Sequence, residues 1–353
     1  MALHQHIGFC TSADGTRIAT AVIGRGLPLV RAAHWLSHVE YDAESPVWRP
    51  WLSALARNHR YFRYDQRGCG LSDRDITDFS LDAMVADLEA ATATLGEQPF
   101  PLIGMSQGGA VAIEFARRNP GRVSRLVLVG AYARGSLMRP TGHGQHREAK
   151  ALLELVRLGW GRDNPAFRQV FTNQFIPGGT PEQHRWWTDL ERRTASPEVA
   201  AAILSAIYRI DVTAEARALD LPVLVMHAQG DARVPLEEGR LLATLIPGAR
   251  FVPLESDNHV LLESEPAWGR FLSELRGFLN DDGGELSPLP GVDGLTNAER
   301  QVLALLLEGI DNRTIADRSG KSEKTVRNQV SAVLAKTGHP TRSALIAAMS
   351  RTR

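Results

Sequence analysis

The ten-residue segment FPLIGMSQGG, Phe100–Gly109, decides the fold of the larger part of this chain. Its first four residues form an apolar run typical of a buried strand, and a helical pattern begins near Gly108. Glycines on both sides of a serine allow the tight strand-to-helix turn that projects a hydroxyl into the open. The helix N-terminus behind this hydroxyl favours negative charge that develops there. We therefore predict that Ser106 is a catalytic nucleophile, in preference to a glycine-rich turn without chemistry.

A serine hydroxyl needs a general base and an acid that orients the base. The order expected for a sheet of this kind is serine, acid, histidine. The strand-like run VLVMHAQGD ends at Asp231, and the segment SDNH ends at His259, so these residues are the predicted acid and base. Asp257 is the alternative acid, although its position two residues before His259 is awkward for orienting the same ring. His227 is expected to be a buried histidine at the end of the strand. Considered one at a time, Asp231 is also consistent with a turn residue, and His259 is also consistent with a surface residue.

An oxyanion hole requires two backbone N–H donors near the nucleophile. The residue directly after the serine, Gln107, is expected to supply one of them. The other is expected from the loop after the strand Pro28–Ala32. In that loop the register favours the amide of Trp35 over that of His34.

The sequence around these motifs alternates between strand and helix patterns. Predicted strands cover Arg17–Ile23, Pro28–Ala32, Tyr61–Tyr64, Phe100–Gly104, Val123–Gly130, Val223–Ala228 and Arg250–Pro253, and predicted helices cover Leu81–Leu95, Ala110–Asn119, Leu236–Ile246 and Pro266–Leu279. This alternation predicts an α/β fold with a mostly parallel sheet. Residues 140–217 show a helical pattern without a clear strand, which predicts a helical cap over the carboxyl edge of the sheet. Three tryptophans of that segment fit either a substrate channel or the cap core: Trp160, Trp186 and Trp187.

Nearly all of the sequence from Gly8 to Leu279 resembles the α/β-hydrolase superfamily. Besides the serine motif, the segment DQRGCGLS, Asp65–Ser72, is similar to the D-x-R-G-x-G-x-S segment that follows the fourth strand in this family. The resemblance implies that this segment shapes the core and the pocket wall, and that the domain hydrolyses an ester, thioester, lactone or similar bond. Serine at the nucleophile position argues against the dehalogenases and epoxide hydrolases of this fold, which use aspartate. The first oxyanion loop departs from the family, because Ala33 and His34 stand where many members carry His-Gly.

A second, purely helical pattern follows a polar segment that is rich in glycine and proline. We predict a linker at residues 281–294, between a hydrolase domain at residues 1–280 and a small all-α, four-helix domain at residues 295–353. Thr296 and Glu299 form a capping-box pattern before the first helix of the small domain. Further helices are predicted from about Asn312, from Ser322 and from near Thr341.

The second and third of these helices are joined across Gly320 and form a helix-turn-helix, whose second helix reads the major groove of DNA. Its predicted exposed face carries groups suited to phosphates and base edges: Lys324, Thr325, Arg327, Asn328 and Gln329. Residues 295–349 resemble the LuxR-type DNA-binding domain, with matches that include LT at 295–296, KTV at 324–326 and LAK at 334–336. The resemblance implies that the third helix enters the groove and that the fourth supports a homodimer. A helical protein-interaction module is the less favoured alternative.

Charge is divided unevenly between the two predicted domains. The 353 residues carry 40 Lys and Arg and 40 Asp and Glu, but residues 295–353 carry 10 basic and 5 acidic residues. A basic C-terminal part indicates an anionic partner, which agrees with promoter DNA. The two cysteines and the lack of a signal-peptide pattern or a long apolar run predict a cytoplasmic protein without a membrane partner. No metal-ligand spacing or nucleotide-binding loop is apparent in the sequence, so we expect no metal and no cofactor.

Together these motifs predict a transcriptional regulator whose hydrolase domain binds and hydrolyses a small ester-, thioester- or lactone-like ligand. One alternative is a serine hydrolase whose helical domain acts as a tether or an autoregulator. Another is a catalytically inactive hydrolase domain that serves as a ligand sensor. Reaction with a fluorophosphonate distinguishes the enzyme from the sensor.

Overall fold

The computed structural model describes residues 4–140, 143–160, 162, 165–280, 296–307, 310–319 and 321–345. The chain divides into two compact units, Met1–Leu279 and Asn280–Arg353. The linker predicted at residues 281–294 lies outside the described residues.

One eight-stranded sheet organises the larger unit. Its strands are β1 (Gln5–Thr11), β2 (Arg17–Ile23), β3 (Pro28–Arg31), β4 (Arg60–Tyr64), β5 (Phe100–Met105), β6 (Val123–Val129), β7 (Val223–Ala228) and β8 (Arg250–Leu254). They lie in the order β1-β2-β4-β3-β5-β6-β7-β8. The pairs β1–β2 and β2–β4 are antiparallel, and the pairs from β4 through β8 are parallel. The predicted mostly parallel α/β fold is therefore confirmed, with β5 near the middle of the sheet.

Helices cover the sheet and fill the interval between β6 and β7. The helices of the larger unit are α1 (Trp48–Ala56), α2 (Leu81–Ala93), α3 (Gln107–Arg118), α4 (His143–Gly159), α5 (Pro165–Phe175), α6 (Pro181–Thr194), α7 (Pro197–Ile207), α8 (Thr213–Arg217), α9 (Leu236–Leu245) and α10 (Pro266–Asn280), with a short 3₁₀ helix at Tyr41–Glu44. Five of them, α4 to α8, occupy the segment predicted to form a helical cap. Among the helices of the described residues, none is long and apolar enough to cross a membrane.

Besides helix α1, the sequence analysis missed strand β1. Its side chains are exposed or half-buried along its whole length, and Phe9 remains 54% exposed. The strand lies at the edge of the sheet and pairs only with β2 in the strand order. Because neither face is buried, the strand lacks the apolar alternation from which strands are predicted.

The segment Asp65–Ser72 connects neighbouring parts of the chain next to β4 through hydrogen bonds. The Asp65 carboxylate accepts hydrogen bonds from the backbone N–H groups of Val39 at 2.8 Å and Leu71 at 2.9 Å. The Ser72 hydroxyl donates to the Asp65 carbonyl oxygen and accepts from the Ala19 N–H, both near 3 Å. These bonds give the segment a structural role, as the family resemblance implies.

Replacing Arg67 with methionine is expected to destabilise the larger unit by about 3 to 5 kcal/mol, the usual cost of removing one partner of a buried ion pair. The Arg67 guanidinium is fully buried and binds both carboxylate oxygens of the buried Asp87, at 2.8 and 2.7 Å. All seven tryptophans precede residue 280, so thermal unfolding followed by tryptophan fluorescence reports on this unit. The exposed Arg240, replaced with glutamine, is the matched control. Equal melting temperatures for the two variants would contradict the prediction.

The smaller unit packs three helices around a core of its own: α11 (Asn297–Leu307), α12 (Asn312–Ser319) and α13 (Glu323–Lys336). The predicted capping box is present, because the Thr296 hydroxyl accepts from the Glu299 N–H at 3.3 Å and the Glu299 carboxylate accepts from the Thr296 N–H at 2.7 Å. Lys336 donates to the same carboxylate at 2.8 Å and so links α13 to the start of α11. Residues 342–345 are helical, in agreement with the predicted fourth helix.

Candidate active site

Ser106 occupies a strained turn between β5 and α3. Its φ of 51° and ψ of −127° lie in a region that a residue with a side chain rarely adopts, at a cost of about 1–3 kcal/mol. Close packing holds the turn in place. A Cβ at Gly104 would lie 2.7 Å from Gly109 Cα, and one at Gly108 would lie 2.7 Å from the Ala33 carbonyl oxygen. The two glycines therefore let α3 approach the sheet closely enough to impose the turn.

His259 and Asp231 meet because their loops run side by side. Strand β7 pairs with β8 as far as Ala228 and Leu254, and the pairing continues beyond the strands from Gly230 N–H to the Ser256 carbonyl at 3.0 Å. His259 Nδ1 lies 2.7 Å from Asp231 Oδ2, and both residues are buried. A ring nitrogen that faces a carboxylate carries the proton. The other nitrogen, Nε2, then presents a lone pair, and it has no partner among the described side chains and backbone groups.

The carboxylate of Asp231 is held by its own loop. Its Oδ1 accepts backbone hydrogen bonds from Arg233 at 2.8 Å and Val234 at 2.9 Å. Burial raises the pKa of Asp231, but the charge and hydrogen bond of His259 outweigh it and hold the pKa below its usual value. Asp231 is therefore ionised at neutral pH. The alternative acid, Asp257, is exposed, and in the described part of the chain no hydrogen bond joins it to His259.

A second histidine, His227, lies beside the same carboxylate. As expected, it is buried at the end of β7, where its Nε2 donates to the Val234 carbonyl oxygen at 2.9 Å. The same nitrogen is 3.6 Å from Asp231 Oδ2. Burial lowers the pKa of His227, so its ring is neutral and packs behind the acid rather than in the pocket.

Two candidate oxyanion donors lie next to Ser106. Gln107 is the first residue of α3, so its N–H has no acceptor within the helix. The loop after β3 lies beside the turn because β3 pairs in parallel with β5. In this loop the backbone N–H groups of His34 and Trp35 have no acceptor among the described residues. Leu36 follows at a φ of 67°, so this loop is also strained.

The His34 ring forms one wall of the site. It stacks on Trp48 with ring centroids 4.9 Å apart, and its Nδ1 donates to the Trp35 carbonyl oxygen at 2.8 Å. Burial, followed by the positive charge of Arg31, lowers the pKa of His34 to about 3. The ring is therefore a neutral aromatic surface at physiological pH.

A pocket opens over Ser106 and His259, and aromatic side chains form a large part of its walls. Several lining residues were not predicted as site residues from the sequence: Trp48, Tyr132, Phe175, Trp187, Tyr208 and Arg233. Phe175, Trp187 and Tyr208 come from the helical segment between β6 and β7. Phe175 packs edge-on against the His259 ring, with centroids 5.7 Å apart. This segment therefore contributes apolar surface to the pocket wall next to the base.

The candidate DNA-binding residues lie along one face of α13. Lys324, Thr325, Arg327 and Asn328 are exposed, whereas Gln329 is half-buried and accepts a hydrogen bond from Lys321 at 3.2 Å. The opposite face buries three valines in the core: Val326, Val330 and Val333. The Ser322 hydroxyl caps the helix by accepting from the Thr325 N–H at 3.1 Å. The first turn of α13 is therefore open to a partner.

The larger unit belongs to the α/β-hydrolase class of proteins, and residues 41–266 match the alpha/beta hydrolase fold family. Residues 293–349 match the bacterial regulatory proteins of the luxR family. The chain therefore joins a hydrolase domain to a LuxR-type DNA-binding domain.

Similar proteins are hydrolases and related enzymes. The chain is 30% identical over 273 residues to a non-heme chloroperoxidase of Streptomyces lividans, which covers 74% of this chain and 95% of the relative. It is 27% identical over 241 residues to the AB hydrolase superfamily protein YisY of Bacillus subtilis, and this match covers 67% of this chain and 86% of the relative. Among solved structures, the esterase EaEST from Exiguobacterium antarcticum gives a TM-score of 0.66 at 25% identity, over 77% of this chain and 98% of that one. The esterase RhEst1 from Rhodococcus sp. ECU1013 gives a TM-score of 0.63 at 27% identity, over 80% of this chain and 99% of that one.

Proposed function

We propose that this protein is a transcriptional regulator whose hydrolase domain binds and hydrolyses a small ester-, thioester- or lactone-like ligand. The observation that carries the proposal is the 2.7 Å contact of His259 Nδ1 with Asp231, which leaves Nε2 facing the pocket that contains Ser106. The match to esterases supports the choice of bond, and the LuxR-type domain on the same chain supports the link to transcription.

The residues of the site fit a two-step acyl transfer. His259 Nε2 takes the proton of the Ser106 hydroxyl as Oγ attacks the carbonyl carbon of the ligand, and the developing oxyanion accepts hydrogen bonds from the Gln107 and Trp35 amides. His259 then gives the proton to the departing oxygen or sulfur, which leaves an acyl group on Ser106. Water, deprotonated by the same nitrogen, attacks the acyl carbon, and His259 returns the proton to Ser106 Oγ as the acid is released. Asp231 stays ionised and holds the ring in the required tautomer.

Regulation follows from the geometry of DNA half-sites. A single helix-turn-helix makes few contacts, so paired half-sites require a dimer. A ligand that binds one dimer geometry better than another shifts the population toward it. We expect the helical cap to change position when the ligand binds, because it covers the ligand pocket and lies outside the sheet.

One experiment on the full-length protein tests both halves of the proposal. The protein is treated with a fluorophosphonate, its intact mass is measured, and it is then titrated onto DNA from the region upstream of its own reading frame at low salt. We expect one phosphonyl adduct on native protein, none on heat-denatured protein, and a shifted DNA band. A folded protein that gives no adduct but shifts the DNA would favour a ligand sensor without turnover, and the converse would favour an enzyme with a helical tether.

Replacing Lys324 with alanine is expected to weaken DNA binding at least about tenfold, because a charge-assisted hydrogen bond to a phosphate is lost. The slope of log affinity against log salt should fall by about 1 for each phosphate contact removed. Fluorescence anisotropy over a series of salt concentrations measures both quantities. Lys150→Ala removes an exposed lysine from α4 and serves as the control. An unchanged salt slope in Lys324→Ala would show that this residue does not contact DNA.

A further inference from the structure

Arg233 stands two residues after Asp231, and its side chain forms part of the pocket over Ser106. Its guanidinium lies 5.8 Å from the ring centroid of Trp35, 5.7 Å from that of Phe175 and 5.6 Å from that of Tyr208. Its polar contacts are long, because Nη1 is 3.4 Å from both Gln174 Oε1 and the Tyr208 hydroxyl. A half-buried cation is thus placed within an aromatic wall of the pocket.

Neighbouring arginines are paired with a carboxylate, but Arg233 is not. Arg134 and Arg139 share the buried carboxylate of Glu238, at 2.8 and 3.7 Å. No carboxylate of the described residues lies within 4.0 Å of the Arg233 guanidinium. Glu148 and Arg233 both line an adjoining pocket, but the Glu148 side chain is exposed and forms no ion pair with Arg233. The charge of the nearby Asp231 contributes to raising the pKa of Arg233, but the oxygens of that carboxylate bind His259 and backbone N–H groups. A partly dehydrated cation with no carboxylate in contact is costly unless an anion occupies the space in front of it.

We propose that Arg233 is the binding site for a carboxylate on the ligand, so that the ligand class is an ester, thioester or lactone that also carries a carboxylate. A planar guanidinium forms two parallel hydrogen bonds with a carboxylate, which also fixes the orientation of the ligand. The aromatic walls suit an apolar body between the carboxylate and the scissile bond. The ester part of this assignment rests on the proposed hydrolase function, whereas the carboxylate subsite does not require turnover.

A purely structural role is the competing explanation for Arg233. The side chain touches Gln174 of α5 and Tyr208 just after α7, so it also links two helices of the cap. Loss of such a link weakens the binding of neutral and anionic ligands alike. Selectivity between an anion and its neutral isostere therefore separates the two roles.

The binding test uses the Ser106→Ala variant, in which turnover plays no part. Benzoate and its neutral isostere benzamide are titrated while tryptophan fluorescence is recorded, since three tryptophans line the pocket: Trp35, Trp48 and Trp187. We expect benzoate to bind more tightly than benzamide, and the added substitution Arg233→Gln to weaken benzoate about 10- to 100-fold while benzamide binding is unchanged. Arg233→Lys should retain part of the preference. Arg240→Gln is the control, because Arg240 is 61% exposed and its carboxylate partner is Glu237 at 3.9 Å.

The outcomes separate this proposal from the proposed hydrolase function. Benzoate binding that depends on Arg233 supports the subsite, whether or not a fluorophosphonate labels Ser106 in the wild-type protein. Benzoate and benzamide affinities that fall equally in Arg233→Gln, or that do not change, overturn it. In an active protein, kcat/KM for the p-nitrophenyl monoester of glutaric acid should fall at least about tenfold further in Arg233→Gln than kcat/KM for p-nitrophenyl butyrate does. Retained turnover of the neutral ester also shows that the variant is folded.

Discussion

Replacing Ser106 with alanine is expected to lower kcat/KM for a short p-nitrophenyl ester by at least about 10³-fold and to abolish the fluorophosphonate adduct. The expected loss is large because the hydroxyl forms and breaks the covalent bond in both steps. The variant still binds the ligand. Its backbone N–H groups still stabilise the oxyanion that forms when water, instead of the serine, attacks the carbonyl carbon. Alanine fits the turn no worse than serine does, since the φ of 51° is unfavourable for both.

The measurement compares initial rates and intact masses of Ser106→Ala and the wild-type protein. Ser273→Ala, an exposed serine on α10, is the matched control and should behave as wild type. Thermal melts followed by tryptophan fluorescence show whether the variants are folded. If Ser106→Ala keeps both the adduct and the activity, another residue is the nucleophile and the proposed mechanism is wrong.

The candidate catalytic residues could be predicted from sequence because each one follows a short local pattern. A serine between glycines after an apolar strand predicts the turn, and the structure places Ser106 in it at a positive φ. Asp231 and His259 each follow a strand-like run, and the carboxyl ends of neighbouring parallel strands meet at one edge of a sheet. Topology therefore brings the two side chains within 2.7 Å, which the sequence only implied. Their catalytic roles stay predictions.

The pocket walls could not be predicted, because apolar residues at helical spacing indicate a buried face without showing what it is buried against. Trp186 and Trp187 are adjacent in the sequence, yet they have different environments. Trp187 lines the pocket, whereas Trp186 stacks on Tyr41 with ring centroids 5.0 Å apart. The packing of α6 decides which of the two faces the pocket, and that packing depends on contacts between distant segments.

Arg233 illustrates the same limit for a charged residue. An arginine in a loop that follows a strand is usually solvated, and no local sequence pattern identifies Arg233 as a pocket residue. Its place beside Phe175 and Tyr208 depends on how the cap folds over the loop. The smaller unit posed no such difficulty, because α11 to α13 pack mainly on one another and their caps and valine spacing are local signals.

Asp231→Asn is expected to lower kcat by about 10³- to 10⁴-fold while the folded structure is retained. The Asp231 carboxylate accepts the Nδ1 proton of His259 at 2.7 Å, and this contact leaves Nε2 unprotonated to act as the base. An asparagine NH₂ group that faces Nδ1 donates instead of accepting. It thereby favours the tautomer with the proton on Nε2, which cannot take a proton from Ser106. The nearby His227 ring donates to the Val234 carbonyl and does not replace the lost acceptor.

The control for this variant is Asp257→Asn, the same change two residues before His259 at an exposed position. It should retain wild-type kcat, because no hydrogen bond within the described residues connects Asp257 to the base. Pre-steady-state kinetics with a p-nitrophenyl ester should show that acylation itself is slowed in Asp231→Asn, since the defect lies in activation of the serine. If Asp257→Asn loses activity and Asp231→Asn does not, the orienting acid has been assigned to the wrong residue. If both keep activity, His259 acts without an acid, and the 2.7 Å contact with Asp231 serves only to close the end of the sheet.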